Sequence, residues 1–172
     1  MRVFAGAAYS IGNARVEVRL VYTFFLVLAA VGMATMGAME WHIGLRPDAI
    51  VAYWAGGDRA GEMSFGKTPR ELIELTHFHA FAMGAVYLIL AHLVLATSAS
   101  DRAKRVSIVL GFAGLSGDLA AVWLVRFVAP AFAWLELASW AAQWAAFAAF
   151  VVYPVREMWF RDATNGNGTN GR

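Results

Sequence analysis

The 172-residue chain contains no cysteine. That absence excludes disulfides, thiolate metal sites, iron–sulfur clusters and covalent c-type haem attachment on this chain. Charge is scarce, at 15% of residues, where a soluble domain carries about 25%. The excess of 14 basic over 12 acidic residues is small. No basic face is long enough to track phosphates, which argues against a nucleic-acid partner. There is no nucleophilic triad, phosphate loop or zinc-protease motif. Histidine is rare: the chain has four, all between His42 and His92.

What the chain has in quantity is apolar sequence, 60% of all residues. The few charges cluster between long apolar runs, the pattern of an integral membrane protein in contact with lipid. Four runs, at about 18–39, 77–96, 106–128 and 131–153, each approach the ~20 residues that cross a hydrocarbon core. The expected fold is therefore all-α, a four-helix transmembrane bundle. It forms a single domain over 1–163, with a disordered Asn/Gly/Thr tail over 164–172. The first run is too long for a signal peptide and lacks a clear cleavage site, so it reads as an uncleaved anchor. Arg2, Arg15, Arg19, Arg102, Lys104, Arg105, Arg156 and Arg161 all fall on one side of such a bundle. The loop 40–74 puts Arg46, Arg59, Lys67 and Arg70 on the other. Eight bases against four predict a bacterial inner-membrane protein with both termini cytoplasmic and the long loop outside. The first 19 residues are mixed and are expected along the cytoplasmic face.

The outer loop carries its own signals. Residues 47–54, with Pro47 at the start and Gly56-Gly57 at the end, predict a short helix. Thr68-Pro69-Arg70-Glu71 predicts a capping box that starts the second long helix well before the lipid. Gly111, Gly114 and Gly117, and the alanines at 141, 145 and 149, offer small faces for close helix packing. Trp41, Trp134 and Trp159 suit interface belts, while Trp140 and Trp144, four residues apart, read as lipid or helix packing.

Candidate chemistry centres on the histidines, because imidazole is the commonest metal and haem ligand once thiolates are absent. His42, His77 and His79 should gather near the outer face. His77 and His79 lie about 200° apart around a helix, so they cannot both face one partner squarely. His77 and His92 are within about 60° of one face and about 22 Å apart, the spacing two stacked haems need. The first, third and fourth spans hold no histidine, however, which leaves His92 without a partner. The outer set permits one b haem, ligated by His77 or His79 with His42, Met36 or Met39. It equally permits a copper or zinc site of His42, His77 and His79, or histidines that only satisfy interface hydrogen bonds.

Charges inside the spans add a second set. Asp118 lies near the middle of the third span, where an ionised group costs at least about 2.5 kcal/mol. It predicts either a proton or quinone role or a neutral acid bonded to Ser116, Ser107 or Thr35 hydroxyls. Arg126 and Glu136 are expected to pair across the turn at Pro130. Glu136, Ser139 and Gln143 form a polar stripe that could bound a quinone head-group pocket or join helices.

With four spans and outer-side histidines, the chain resembles small four-helix bacterial membrane b-type cytochromes. That resemblance implies an electron-transfer or anchor subunit carrying haem b near the periplasmic face. It would pass electrons between quinol and a periplasmic redox subunit, acting as a carrier more than as a self-contained enzyme. The competing readings are a non-redox structural subunit of a larger membrane complex and a copper- or zinc-binding membrane protein.

Overall fold

The computed structural model describes residues 10–59 and 61–161. The first nine residues and the tail expected to be disordered lie outside them. Helix α1 (Val16–Ile43) leads to a short α2 (Pro47–Ala55) and an antiparallel hairpin of β1 (Gly56–Arg59) and β2 (Glu62–Phe65). Three long helices follow: α3 (Pro69–Leu95), α4 (Asp101–Phe127) and α5 (Ala133–Trp159). Four helices are long and apolar enough to cross a membrane. At 27 or 28 residues each is about 40 Å long, more than the ~30 Å hydrocarbon core requires. The all-α transmembrane bundle expected from the sequence is therefore present.

Local sequence sets the boundaries. Thr68 accepts the Glu71 amide through its hydroxyl, and Glu71 returns a bond to the Thr68 amide at 2.7 Å, with Pro69 in the first helical position. This is the expected capping box. Helix α2 runs from Pro47 and stops at Gly56, whose φ of 88° favours glycine. The hairpin after it has no counterpart among the sequence signals. It pairs Gly56 with Phe65, and the Ser64 hydroxyl ties it to the Ala52 and Gly57 carbonyls. Helix α5 continues past the expected end at 153. Pro154 costs it one intrahelical bond, but Glu157 and Met158 are buried beyond the proline and hold the last turn.

The glycine face of α4 meets α5 as expected. A Cβ on Gly111 would lie 2.9 Å from the Phe150 ring, and one on Gly114 2.9 Å from Gln143. The alanine stripe does not take part. Ala141 and Ala145 are exposed, and α5 turns Ser139, Gln143, Ala146 and Phe150 inward instead. The polar stripe on α5 thus outranks its small residues, because buried polar groups need partners.

Both described termini and the α3–α4 turn lie at one end of the bundle, and α2 and the hairpin at the other, called here the loop end. Two apolar cores fill the bundle. One, with Leu26, Tyr87, Leu90 and Phe150, lies toward the termini; the other, with Ile43, Trp54, Leu72 and Val122, lies at the loop end. Helix α1 is the least embedded. Phe24 and Leu28 are 67% and 71% exposed, surface that lipid covers in a membrane.

Candidate functional site

Three carboxylates meet at the loop end, and each takes a bond from one indole. Trp54 on α2 donates to Glu136 on α5 at 2.7 Å. Trp140 on α5 donates to Asp118 on α4 at 3.0 Å. Trp144 on α5 donates to Glu40 on α1 at 2.8 Å. Helix α5 is the hub: Glu136, Trp140 and Trp144 repeat every four residues, and Gln143 sits one turn from Trp140. Gln143 is fully buried; its carbonyl accepts from the Tyr87 hydroxyl at 3.2 Å, and its amide nitrogen is buried without a hydrogen-bond partner.

One indole cannot satisfy a carboxylate, which has two oxygens and about four acceptor sites. Oε1 of Glu40 and Oε2 of Glu136 are buried without a hydrogen-bond partner. Both residues line a cavity of about 160 Å³, together with Asp118, His79, Trp54 and Trp140, and the apolar Met36, Met39, Ile43, Leu75 and Val122. Among the described residues no lysine or arginine lines it. The three carboxylates and the His79 ring line the same space. The Nδ1 of His79 lies 2.9 Å from the Leu75 carbonyl. A carbonyl only accepts, so Nδ1 carries the hydrogen, which leaves Nε2 as the acceptor whenever the ring is neutral. A cavity in this setting calls for donors: protons, or the hydroxyl hydrogens of a ligand.

The structure divides the residues singled out in the sequence. It brings His79, Met36, Met39, Asp118 and Glu136 to one cavity, with Gln143 directly behind Asp118. It leaves His77 on the exposed side of α3 against the Phe81 ring, and His42 exposed at the end of α1. His92 bonds the Leu88 carbonyl near the other end. The expected Arg126–Glu136 pair is replaced. Arg126 donates to the Lys67 and Ala55 carbonyls and holds the loop, because Glu136 points into the bundle toward Trp54. Asp118 is bonded by an indole, whereas the Ser107 and Thr35 hydroxyls bond their own helix carbonyls. Trp140 and Trp144 are polar partners as well as packing groups. Glu40, Trp54 and Tyr87 were missed by the sequence reading. The one available signal was Glu40, an acid within a turn of Met36 at the end of an apolar run.

The cavity is the size of a single ring, smaller than a four-pyrrole macrocycle. Among the described residues no group of three or more His, Cys, Asp or Glu side chains is placed to hold a metal ion. The donors a copper ion would favour here are the Met36 and Met39 thioethers and His79.

A family model described as a transmembrane helical domain, Aq_1264_TM, matches residues 44–165, and the chain belongs to that family. The match takes in α2 to α5 and stops short of α1. No curated protein and no solved structure matches the chain. The protein is thus a multi-pass membrane protein, in contact with lipid, built on this helical domain.

Proposed function

We propose that the protein is a quinol-handling subunit of a membrane electron-transfer complex. The observation that carries this reading is the ring-sized cavity with two open carboxylate oxygens and one imidazole on its walls. A quinol head is a six-membered ring with two hydroxyl donors. A cavity of about 150 Å³ accepts benzene, so about 160 Å³ suits such a ring.

On oxidation the quinol loses two protons and two electrons. One hydroxyl proton passes to Glu136 or Glu40 in its ionised form and the other to Nε2 of His79 in its neutral form, groups on the wall of the cavity. The electrons leave one at a time to a redox carrier in a partner subunit, a haem or copper centre. Base counts in the loops support a bacterial inner membrane, with the loop end periplasmic and both termini cytoplasmic.

The test is quinone binding to the purified protein in lipid nanodiscs, followed by calorimetry. Glu136→Gln keeps the oxygen that meets Trp54 but turns the open acceptor into a donor. Glu40→Gln does the same beside Trp144. The double variant should bind at least about tenfold more weakly, a loss of ~1.4 kcal/mol. Unchanged binding in that variant, or no binding by the native protein, refutes the reading. The second outcome favours a purely structural subunit.

A further inference from the structure

The termini end holds the chemical reverse of the loop-end cavity. A pocket of about 430 Å³ opens there between the α3–α4 turn and the last two turns of α5. Glu157, 5% exposed, lines it, and both oxygens of that carboxylate are spent. Oε2 accepts from the Ser98 amide at 3.1 Å and the Ser98 hydroxyl at 2.6 Å. Oε1 accepts from the Ser10 hydroxyl at 2.8 Å and from Arg161. These donors fill the roughly four acceptor sites of a carboxylate, so Glu157 has nothing left for a ligand. What stays open on the wall is donors. The Arg156 guanidinium has no ion-pair or hydrogen-bond partner among the described residues. The Ser100 oxygen takes the Ala103 amide at 3.2 Å, while its hydrogen has no acceptor among them. Arg161 neutralises Glu157, which leaves the Arg156 charge unbalanced among the described groups on the wall.

We propose that this pocket binds a phosphate group bearing net negative charge. Arg156 supplies the opposite charge and a planar fork of N–H donors that matches two phosphate oxygens. Ser100 supplies a further donor. The chemistry is shared by the headgroup of an anionic phospholipid and by free phosphate, and the position favours the lipid. Helix α5 is about 40 Å long against a hydrocarbon core of ~30 Å, so its last turns emerge at headgroup level. Phe160 on the pocket wall is 76% exposed and Trp159 beside it 44%, aromatic rings of the kind that settle at that boundary. Membrane topology alone asks for bases near this end. It does not ask for a pocket that sets a free guanidinium beside a free hydroxyl, the arrangement that holds anionic headgroups between helices. The pocket lies at the opposite end from the quinol cavity and is independent of it.

The experiment titrates the full-length protein in detergent, by calorimetry, with three probes: short-chain phosphatidylglycerol, short-chain phosphatidylcholine and inorganic phosphate. Arg156→Gln removes the free charge, and Arg156→Lys keeps the charge but loses the fork. Ala103→Phe fills the pocket with no change of charge, since Ala103 lines it. Arg105→Gln removes a base at the same end that does not line the pocket. Phosphatidylglycerol should bind more tightly than phosphatidylcholine. Arg156→Gln and Ala103→Phe should each weaken it by about tenfold or more, with Arg156→Lys in between and Arg105→Gln close to native. If inorganic phosphate binds with the same dependence on Arg156 and phosphatidylglycerol has no advantage, the phosphate site stands and its source is soluble. If Arg156→Gln and Arg105→Gln weaken binding alike and Ala103→Phe does not, the basic end acts as a diffuse field and the pocket assignment is overturned. It is overturned equally if the native protein neither prefers phosphatidylglycerol nor binds phosphate.

Discussion

Replacing Trp54 by phenylalanine tests whether the carboxylates are held by their indoles. Trp54 is 5% exposed and Glu136 1%, and their bond of 2.7 Å spans 82 residues of sequence. Phenylalanine keeps a ring but removes the donor. Glu136 then has two buried oxygens and no partner, since Oε2 is already open. Leaving a buried acceptor unsatisfied costs about 1–3 kcal/mol, and the smaller ring adds a cavity term, for a total of roughly 2–4 kcal/mol. For a chain of this size that is a fall of roughly 4–16 °C in the unfolding midpoint. Thermal unfolding in detergent, followed by near-ultraviolet circular dichroism, reads it directly. The sharper measurement is the cycle with Glu136→Leu. Alone, that change strands the indole N–H. Combined with Trp54→Phe it removes both partners, and the pair should cost less than the sum of the singles by about 1–3 kcal/mol. Additivity within about 0.5 kcal/mol would show that the two side chains do not depend on each other, and the reasoning would fail.

Other consequences are as direct. Gly37→Ala puts a Cβ 2.6 Å from Cζ2 of Trp144; it should cost about 1–3 kcal/mol by forcing α1 away from the Trp144–Glu40 bond. Gly32→Ala, facing open space, should be neutral or gain up to about 1 kcal/mol in the same unfolding assay. Thr68→Ala removes the cap of α3 and should cost about 0.5–2 kcal/mol, with faster amide exchange confined to its first turn. The Arg46 guanidinium bonds both oxygens of Asp48 and holds its carboxyl below the usual carboxylate range. A depressed folded value means that the pair contributes above the unfolded value and is lost as pH falls through the folded one. A carboxyl titration by nuclear magnetic resonance should therefore find Asp48 titrating below the ordinary aspartate range, and Arg46→Ala should raise it toward that range.

Much of the scaffold can be read from the sequence, because its causes are local. Apolar run length sets the spans, Thr68 to Glu71 set the start of α3, and Pro47 and Gly56 bracket α2. The inward stripe of Glu136, Ser139 and Gln143 is also visible as spacing on one helix. The site is legible only in part. Hydropathy gives the length of a helix but not its rotation in the bundle, so spacing alone assigns the interface on α5 to alanines that in fact face outward. The indole–carboxylate pairs join residues 22 to 104 positions apart, and no local pattern announces them. Histidines draw attention because they are few. The structure gathers acids instead, with His79 as the imidazole among them. Arg126 can be taken as a partner for Glu136 only while the loop backbone that it holds is unseen.

The pairing of Asp118 with Trp140 also bears on how the chain enters the membrane. As α4 emerges from the ribosome, its acid has no donor, because the indole that meets it lies 22 residues later on α5. A helix carrying that acid alone is expensive to place in lipid. The turn between α4 and α5 is short, and Gly111, Gly114 and Gly117 let the two helices close on each other. The economical unit of insertion is therefore the α4–α5 hairpin. Delaying α5 during synthesis, or removing the Trp140 donor, should leave α4 stalled at the translocon while α1 and α3 insert normally.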